Sequence, residues 1–389
     1  MGKKKDQCKR VIVYNKVLNV VTVYGYIAFN YVVVLTGMLG RIMARKLEKP
    51  TVAVISYILW KHPRAIRISK TLAKKGFKVI PWGSRKPLQK GPRVLRGLLN
   101  YLFALIEILT VKADIYWIES GPDVLYLFFP ILRRRYVYDR RSPWSKQLAI
   151  ELSIPRVIIR FAEAVERFVI KHASIIVTTN KPLTLEYNYS GKELVVIPNY
   201  PEKSFVCQGS SSLRRELNVS EVKPVFIFVG KLSKVEGSML LPRIALSLKD
   251  AGGELWIVGD GPSRRLVEEL TRKYDHVRWF GWVDRKEVPK YISSADYALV
   301  PRIENISSIF HNHEDVLKIG EYNRCRKPII ASGLAPSLYY LLLNSRDIPK
   351  FISDLCNKRA TLDVPPSLPA WEDSSEQMIE YVIDRLSRG

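Results

Sequence analysis

The run PVFIFVG, residues 224–230, is β-branched and uncharged until it stops at a glycine, and Lys231 and Lys234 follow at once. A strand ending in glycine lets a ligand approach the backbone closely, and two ammonium groups beside it could meet phosphate oxygens. A solvated turn would look the same over so few residues. VGDGP, 258–262, closes a second strand with two glycines, either as an ordinary turn or to keep space open for a ligand. In the first half, Glu119 ends ADIYWIE (113–119) and Asp139 ends RRYVYD (134–139). A carboxylate there can orient or deprotonate a hydroxyl, and it can equally cap the helix that follows. Arg64, Arg67 and Lys70 on one predicted helix, Arg133–Arg135, and Arg140 with Arg141 make this half suited to an anion. No Asp-x-Asp pair and no His/Cys cluster with zinc spacing occurs, so no metal site is expected.

These residues need elements to hold them. TVAVISY (51–57), FKVIPWG (77–83), ADIYWIE, RRYVYD, SIIVTT (174–179) and LVVIPN (194–199) read as buried strands. Between them, Arg64–Lys75, Arg93–Thr110, Asp123–Leu132 and Arg156–His172 read as helices. Residues 200–223, with CQGSSS at 207–212, have the composition of a linker. A second alternating set follows: PVFIFVG, a helix ending over Ala245–Gly252, ELWIVGDG (254–261), a helix over Ser263–Tyr274, VRWFGWV (277–283), YALVP (297–301) and KPIIAS (327–332). Strand–helix alternation of this kind builds parallel, doubly wound sheets, whose ligands bind beyond the carboxyl ends of the strands. Two such domains predict a ligand between them. The expected organisation is a basic tail and apolar segment over 1–48, an α/β domain over 49–200, a linker over 201–223, a second α/β domain over 224–368 and a C-terminal helix within 369–389.

At 389 residues the chain is long enough for two domains, and its 47% hydrophobic and 25% charged residues fit a folded protein. The net charge of +25 is distributed unevenly. Residues 1–200 hold 35 Lys and Arg against 12 Asp and Glu, and the remainder holds 27 against 25. The first half should therefore seek polyanions: nucleic acid, anionic headgroups or phosphorylated substrates. Cys8, Cys207, Cys325 and Cys356 form no C-x-x-C pair, and the expectation is four reduced thiols used as packing in a cytoplasmic setting.

Val17–Gly40 carries no charge over 24 residues and is flanked by Lys and Arg on both sides. That is long enough for a spanning helix. A helix or hairpin lying in one leaflet and a buried element packed on the folded part are the other readings. The basic flanks leave its orientation open.

In the second half the blocks VVIPNY, VFIFVGKLSKVEG, LWIVGDGP, VRWFGWV, ADYALVP and KIGEYNRCRKPIIAS stand in order between Val195 and Ser332. Together they resemble the donor-binding domain of retaining GT-B glycosyltransferases of family 4, and HPRAIRISKTLAKKGFKVI with ADIYWIES resembles the acceptor half more loosely. The resemblance implies a GT-B fold of two Rossmann-like domains facing a cleft, with an N-terminal membrane-associated helical segment added here. It assigns the donor diphosphate to Gly230, Lys231, Lys234 and Lys318. It assigns the ribose hydroxyls to Glu321 and the nucleobase to the backbone near Val283. Family members carry two glutamates eight positions apart. The second matches Glu321, the first falls on His313, and Glu314 stands one position away. Lys231 replaces a family arginine, and Glu236 replaces a family lysine for which Lys234 could substitute.

The function implied is metal-independent, retaining transfer of a hexose-type sugar from a nucleoside-diphosphate sugar, with no cofactor. Glu119, Asp139 and Glu314 are the candidate catalytic residues, and no protein nucleophile is assigned. Arg64, Arg67, Arg140 and Arg141 would face an anionic acceptor or lipid surface. A membrane-associated, phosphate-bearing, lipid-linked acceptor accounts for the cationic half and the apolar segment together, with the catalytic domains on the cytoplasmic side. A nucleotide-sugar epimerase, a catalytically inactive GT-B scaffold and a basic nucleic-acid-binding protein are the alternatives. No nucleic-acid module is visible, so no nucleic-acid partner is expected.

Overall fold

The computed structural model describes residues 49–388, apart from 57–61, 83–87, 89–91, 122, 143–144, 147–154, 186–190 and 208–211. The Val17–Gly40 segment and the 1–48 region lie outside the described residues. Among the described residues, no helix is long and apolar enough to cross a membrane.

The N-terminal sheet is six parallel strands: β1 (Thr51–Ile55), β2 (Lys78–Trp82), β3 (Ile115–Glu119), β4 (Tyr136–Arg140), β5 (Ile175–Thr178) and β6 (Glu193–Val196), in the order β2-β1-β3-β4-β5-β6. Its crossovers are α1 (Pro63–Lys74), α2 (Arg93–Thr110), α3 (Phe128–Ile131), α4 (Arg156–His172) and the short α5 (Lys181–Thr184). The central strands β3 and β4 are buried along their whole length, as expected of β-branched and aromatic runs covered on both faces, and their charged residues, Glu119, Asp139 and Arg140, stand at the carboxyl ends. One face packs on α1 through Ala65, Ile68 and Leu72. The other packs on α2, α3 and α4 through residues such as Ile108, Phe129 and Val169.

The C-terminal sheet comprises β7 (Val225–Val229), β8 (Glu254–Val258), β9 (Val277–Trp279), β10 (Tyr297–Pro301), β11 (Ile329–Ser332) and β12 (Leu341–Leu342), all parallel, in the order β12-β11-β10-β7-β8-β9. This is the doubly wound dinucleotide-binding order, with its switch point between β7 and β10. Five helices cover it: α6 (Ser212–Glu216), α7 (Leu241–Ala251), α8 (Arg264–Lys273), α9 (Val288–Ser294) and α10 (Leu317–Arg324), with α11 (Ile348–Cys356) beyond β12. Two last helices, α12 (Trp371–Ser374) and α13 (Glu376–Arg388), close the chain.

Several elements differ from the sequence expectation. The helix expected over Asp123–Leu132 is a 3-10 turn, Asp123–Tyr126, followed by the single turn of α3. The strand expected over 277–283 stops at Trp279, ahead of Gly281 at φ 67°. The segment read as a linker, 201–223, contains α6, and its Phe205, Leu213 and Val219 are buried in the C-terminal core. Apolar side chains outvote the polar composition around them. The C-terminal helix α13 returns to the N-terminal sheet, burying Ile379, Val382 and Ile383 there, while Trp371 Nε1 donates to Thr71 Oγ1 at 3.0 Å.

The cysteines also differ from expectation. Cys207 and Cys325 form a disulfide, with Cα atoms 5.2 Å apart, that ties the segment ahead of α6 to the end of α10 across 118 residues. Among the described residues Cys356 is the free thiol. The double change Cys207→Ser/Cys325→Ser should lower unfolding stability by about 2–4 kcal/mol in denaturant titrations. Reductant should then lower the wild-type stability by the same amount and leave the variant's unmoved.

Candidate functional site

The switch point of the C-terminal sheet is built around missing side chains. β7 ends at Gly230, whose φ is 139°, and a Cβ there would lie 2.7 Å from Lys318 Nζ. At the end of β8, a Cβ on Gly259 would lie 1.9 Å from the Gly230 carbonyl oxygen. The two strand ends and α10 therefore meet only because both positions are glycine.

Into this gap Lys318 points its ammonium, 4.5 Å over the Phe228 ring and 2.7 Å from Glu236 Oε2. Arg302, immediately after β10, donates from Nη2 to Glu236 Oε1 at 2.7 Å. Burial raises the Glu236 pKa, but Arg302 and Lys318 outweigh it and bring the carboxyl down to about 2. Burial pushes the Lys318 ammonium below its ordinary value against the pull of Glu236. Two buried cations thus share one internal carboxylate at the place where the fold binds ligands. Lys231 and Lys234 are exposed on the loop that follows Gly230. The glutamate that departs from the family pattern is therefore met by Lys318 and Arg302, while Lys234 stands in the solvent-facing loop.

Glu321 lies one helical turn beyond Lys318 and is buried. Arg285 Nη2 pairs with its Oε1 at 3.0 Å. Burial raises the Glu321 pKa, and Arg285, Arg67 and Lys318 oppose it. Val283 is half-buried two residues before Arg285, so the loop assigned to the nucleobase and the carboxylate assigned to the ribose are joined by this ion pair. Tyr322 Oη accepts from the Val229 N–H at 2.8 Å, which fixes α10 against the end of β7.

In the N-terminal domain, Glu119 and Asp139 are register partners on β3 and β4 and are both fully buried. Asp139 Oδ2 accepts from Arg64 Nε at 2.8 Å and from Trp117 Nε1 at 3.0 Å. It is the internal counter-ion of Arg64. Glu119 is the last residue of β3, 3.6 Å from Arg141 Nη1 and 3.7 Å from His62 Nδ1. Burial raises the Glu119 pKa and Arg141 opposes it. Burial, with Arg141, lowers the His62 pKa to about 3, so the imidazole is neutral.

The four arginines assigned to an anionic surface divide. Arg64, Arg67 and Arg140 are buried. Besides Asp139, Arg64 donates to the Ile197 carbonyl at 2.9 Å. Arg67 donates to Asn199 Oδ1 and the Tyr200 carbonyl and lies 4.5 Å over the Trp371 ring. Burial, with Arg285 and Arg64 nearby, lowers its pKa to about 9. Arg140 pairs with Glu166 at 3.0 Å, and both are fully buried. A buried guanidinium needs such partners, and they are what take these three off the surface. Arg141, a quarter exposed, is the one left facing outward.

Glu314 is taken up in joining the two sheets' loops. Its carbonyl accepts from the Asn199 N–H at 2.6 Å, and its Oε2 accepts from the Lys181 N–H at 3.1 Å. Asp315 similarly accepts from Asn180 Nδ2 at 2.7 Å. His313 accepts or donates at Ser337 Oγ, 2.9 Å away, and its ring lies 4.4 Å from that of Tyr339. Arg285, Arg302 and His62 were not singled out from the sequence. Only Arg302 carries a usable signal, as the first residue beyond the YALVP strand at the switch point. Among the described residues, no group of three or more His, Cys, Asp or Glu could hold a metal ion.

The family model described as Glycosyl transferases group 1 matches residues 223–353. These residues are a glycosyltransferase domain. The match spans β7 to α11 and stops short of the N-terminal sheet. Solved structures extend the likeness to both sheets. Sucrose-phosphate synthase from Thermosynechococcus elongatus superposes with a TM-score of 0.61 at 16% identity, over 88% of this chain and 98% of that one. WaaG, a glycosyltransferase involved in lipopolysaccharide biosynthesis, gives 0.60 at 15%, over 87% and 100%. Anabaena HepE in complex with UDP-glucose gives 0.58 at 14%, over 87% and 100%. At such identities the likeness is one of fold, and the fold is GT-B. No curated protein matches the chain in sequence.

Glu236→Gln frees Lys318 and Arg302 for an external anion. Inorganic diphosphate should then bind about tenfold more tightly by calorimetry, equivalent to about 1.4 kcal/mol. Without the anion, the variant should be less stable by about 3–5 kcal/mol, because two close buried cations lose their shared partner. Unchanged affinity would place the diphosphate away from this pair.

Proposed function

We propose that this glycosyltransferase moves a hexose-type sugar from a nucleoside-diphosphate sugar to a phosphate-bearing, lipid-linked acceptor at a membrane surface, with retention and without a metal. The observation that carries the donor side is the placement of Lys318 and Glu321 one turn apart on α10, beside Gly230 and Arg302 at the β7/β10 switch point. Breaking the sugar–phosphate bond leaves charge on a diphosphate, and fixed cations in a partly dry site stabilise that charge as it develops. Lys318 and Arg302 supply it from the protein interior, and Lys231 and Lys234 extend the field to the rim. Glu321 accepts hydrogen bonds from the two vicinal ribose hydroxyls, a geometry one carboxylate can satisfy, with Arg285 holding it ionised meanwhile.

No protein nucleophile is assigned. The departing phosphate takes the proton of the acceptor hydroxyl, and the Glu119–Arg141–His62 group orients that acceptor from the other side of the cleft. Asp139 acts by holding Arg64, and Glu314 by joining loops. The acceptor's phosphate is argued from the excess of 23 positive charges in residues 1–200. Membrane association, with the catalytic domains on the cytoplasmic side where nucleotide-sugars are made, is argued from that charge and from the uncharged Val17–Gly40 segment.

The test is a thermal-shift titration with UDP, GDP, ADP, CMP and a single-stranded oligonucleotide. A ligand that binds only the folded chain at about 100 times its Kd stabilises by about 2.7 kcal/mol. One nucleoside diphosphate should raise the Tm, and Glu321→Ala should abolish that rise. A shift with the oligonucleotide alone would overturn the donor reading. On the acceptor side, Glu119→Gln should lower kcat with the nucleotide shift intact. Asp139→Asn should instead lower the Tm itself, since it strips Arg64 of its partner, at a cost of about 3–5 kcal/mol.

A further inference from the structure

The helices on one face of the N-terminal sheet are apolar on the side that faces away from it. On α2, Leu95, Leu98, Leu102, Ile106 and Leu109 recur at helical spacing and are all exposed, Leu98 by 64%. The opposite side of the same helix buries Ala104 and Ile108 against the sheet. A surface helix should be polar there. The neighbouring turn adds Ile131 and Leu132. On α4, Val157 and Phe161 are exposed by 72% and 58%, with Ile158 and Phe168 beside them. A contiguous apolar face of this extent marks an interaction surface.

The charges say what covers it. Along α4 the exposed Arg156, Arg160, Arg167 and Lys171 form a basic stripe next to the Val157/Phe161/Phe168 stripe, with the half-buried Glu163 as the one acid within it. Arg133 continues it past α3. The only acid on α2 is Glu107. Parallel apolar and basic stripes match the boundary between acyl chains and anionic headgroups, where long cationic side chains reach outward while the apolar ones sink in. A second copy of this chain would set the basic stripes of both partners together, a like-charge contact.

We propose that the outer face of α2, α3 and α4 docks on an anionic lipid bilayer. The assignment deepens the membrane side of the proposed function and rests on that reading only for the acceptor. As a crossover, α2 runs antiparallel to its strands, so Leu95 and Leu98 lie toward the strand carboxyl ends, the end that carries Glu119 and Arg141. A lipid-linked phosphate could reach that group without leaving the headgroup layer.

The test is side-chain radical footprinting of the full chain, free and on vesicles of phosphatidylcholine with or without phosphatidylglycerol. Leu98, Leu102, Val157 and Phe161 should be labelled in the free protein, and that labelling should be lost on the anionic vesicles alone. Full labelling of these side chains on sedimented, vesicle-bound protein overturns the proposal. So does equal protection by neutral vesicles, protection that grows with protein concentration without lipid, or a face already unlabelled in the free chain. In the variant Leu98→Glu/Leu102→Glu/Ile106→Glu, α4 should stay labelled on anionic vesicles while the nucleotide-induced Tm shift is kept. Protection of α4 in that variant, as in wild type, counts against a single docking face. Loss of the nucleotide shift in wild type would instead remove the donor reading and leave the footprint standing.

Discussion

The close approach of α10 to the ends of β7 and β8 is the constraint on which the rest of the site depends. Eight residues, Leu317–Arg324, must place Lys318 over Gly230, Gly320 against Pro201, Glu321 toward Arg285 and Tyr322 under the Val229 amide. Gly230 and Gly259 remove the side chains that would hold the elements apart, and the buried tyrosine hydroxyl anchors the helix with a hydrogen bond in a dry setting. Packing therefore comes first, and the charges are delivered by it. This makes Glu236 intelligible. A helix that drives an ammonium into a buried gap beside a guanidinium needs an anion there when no ligand is present. The carboxylate that departs from the family pattern meets this need.

The N-terminal domain uses the same device for a different end. Arg64, Arg67 and Arg140 are buried on carboxylates or carbonyls from distant parts of the chain. Arg67 is the most connected. It reaches the backbone at Asn199–Tyr200, where the chain leaves the first sheet, and stacks on Trp371, where the chain comes back to it. The return of α13 is thus fastened near the crossing between domains, with Lys74 to Glu376 at 3.0 Å and Arg385 to Glu193 at 3.1 Å as exposed additions. Exposed pairs of this kind contribute little. The burial of Ile379, Val382 and Ile383 contributes most of the hold.

Fold and site were legible in the sequence to different depths. Runs such as VFIFV and YALVP are buried on both faces, and a local pattern suffices to recognise them. That Gly230, Lys318 and Glu321 belong to strand-end segments of the second sheet was legible because they stand in ordered blocks. The partners of the charges were not. Arg302 finds Glu236 across 66 residues and Arg285 finds Glu321 across 36, and no spacing rule operates at those distances. Composition misled at Phe205, Leu213 and Val219, where three buried side chains sit within a polar stretch. The Cys207–Cys325 bond was invisible for the same reason as the ion pairs, since nothing local joins residues 118 apart.

Net charge was the boldest signal in the sequence, and the structure changes its meaning. An excess of positive charge reads as an external field only for those side chains that reach solvent. Arg64 and Arg140 do not, because Asp139 and Glu166 neutralise them inside the domain. These pairings use up acids as well as bases, so they leave the surplus intact and move it outward. Among the described residues, part of what remains stands along Arg156, Arg160, Arg167 and Lys171 and beyond α3 at Arg133. That is also where apolar side chains stand exposed. Among the described residues, part of the cationic character inferred from composition is carried by the face away from the sheet, while the cleft keeps a small number of buried cations held on internal carboxylates. A single sequence property, the charge of the first half, thus separates in the folded chain into an interior network that positions and an exterior surface that attracts.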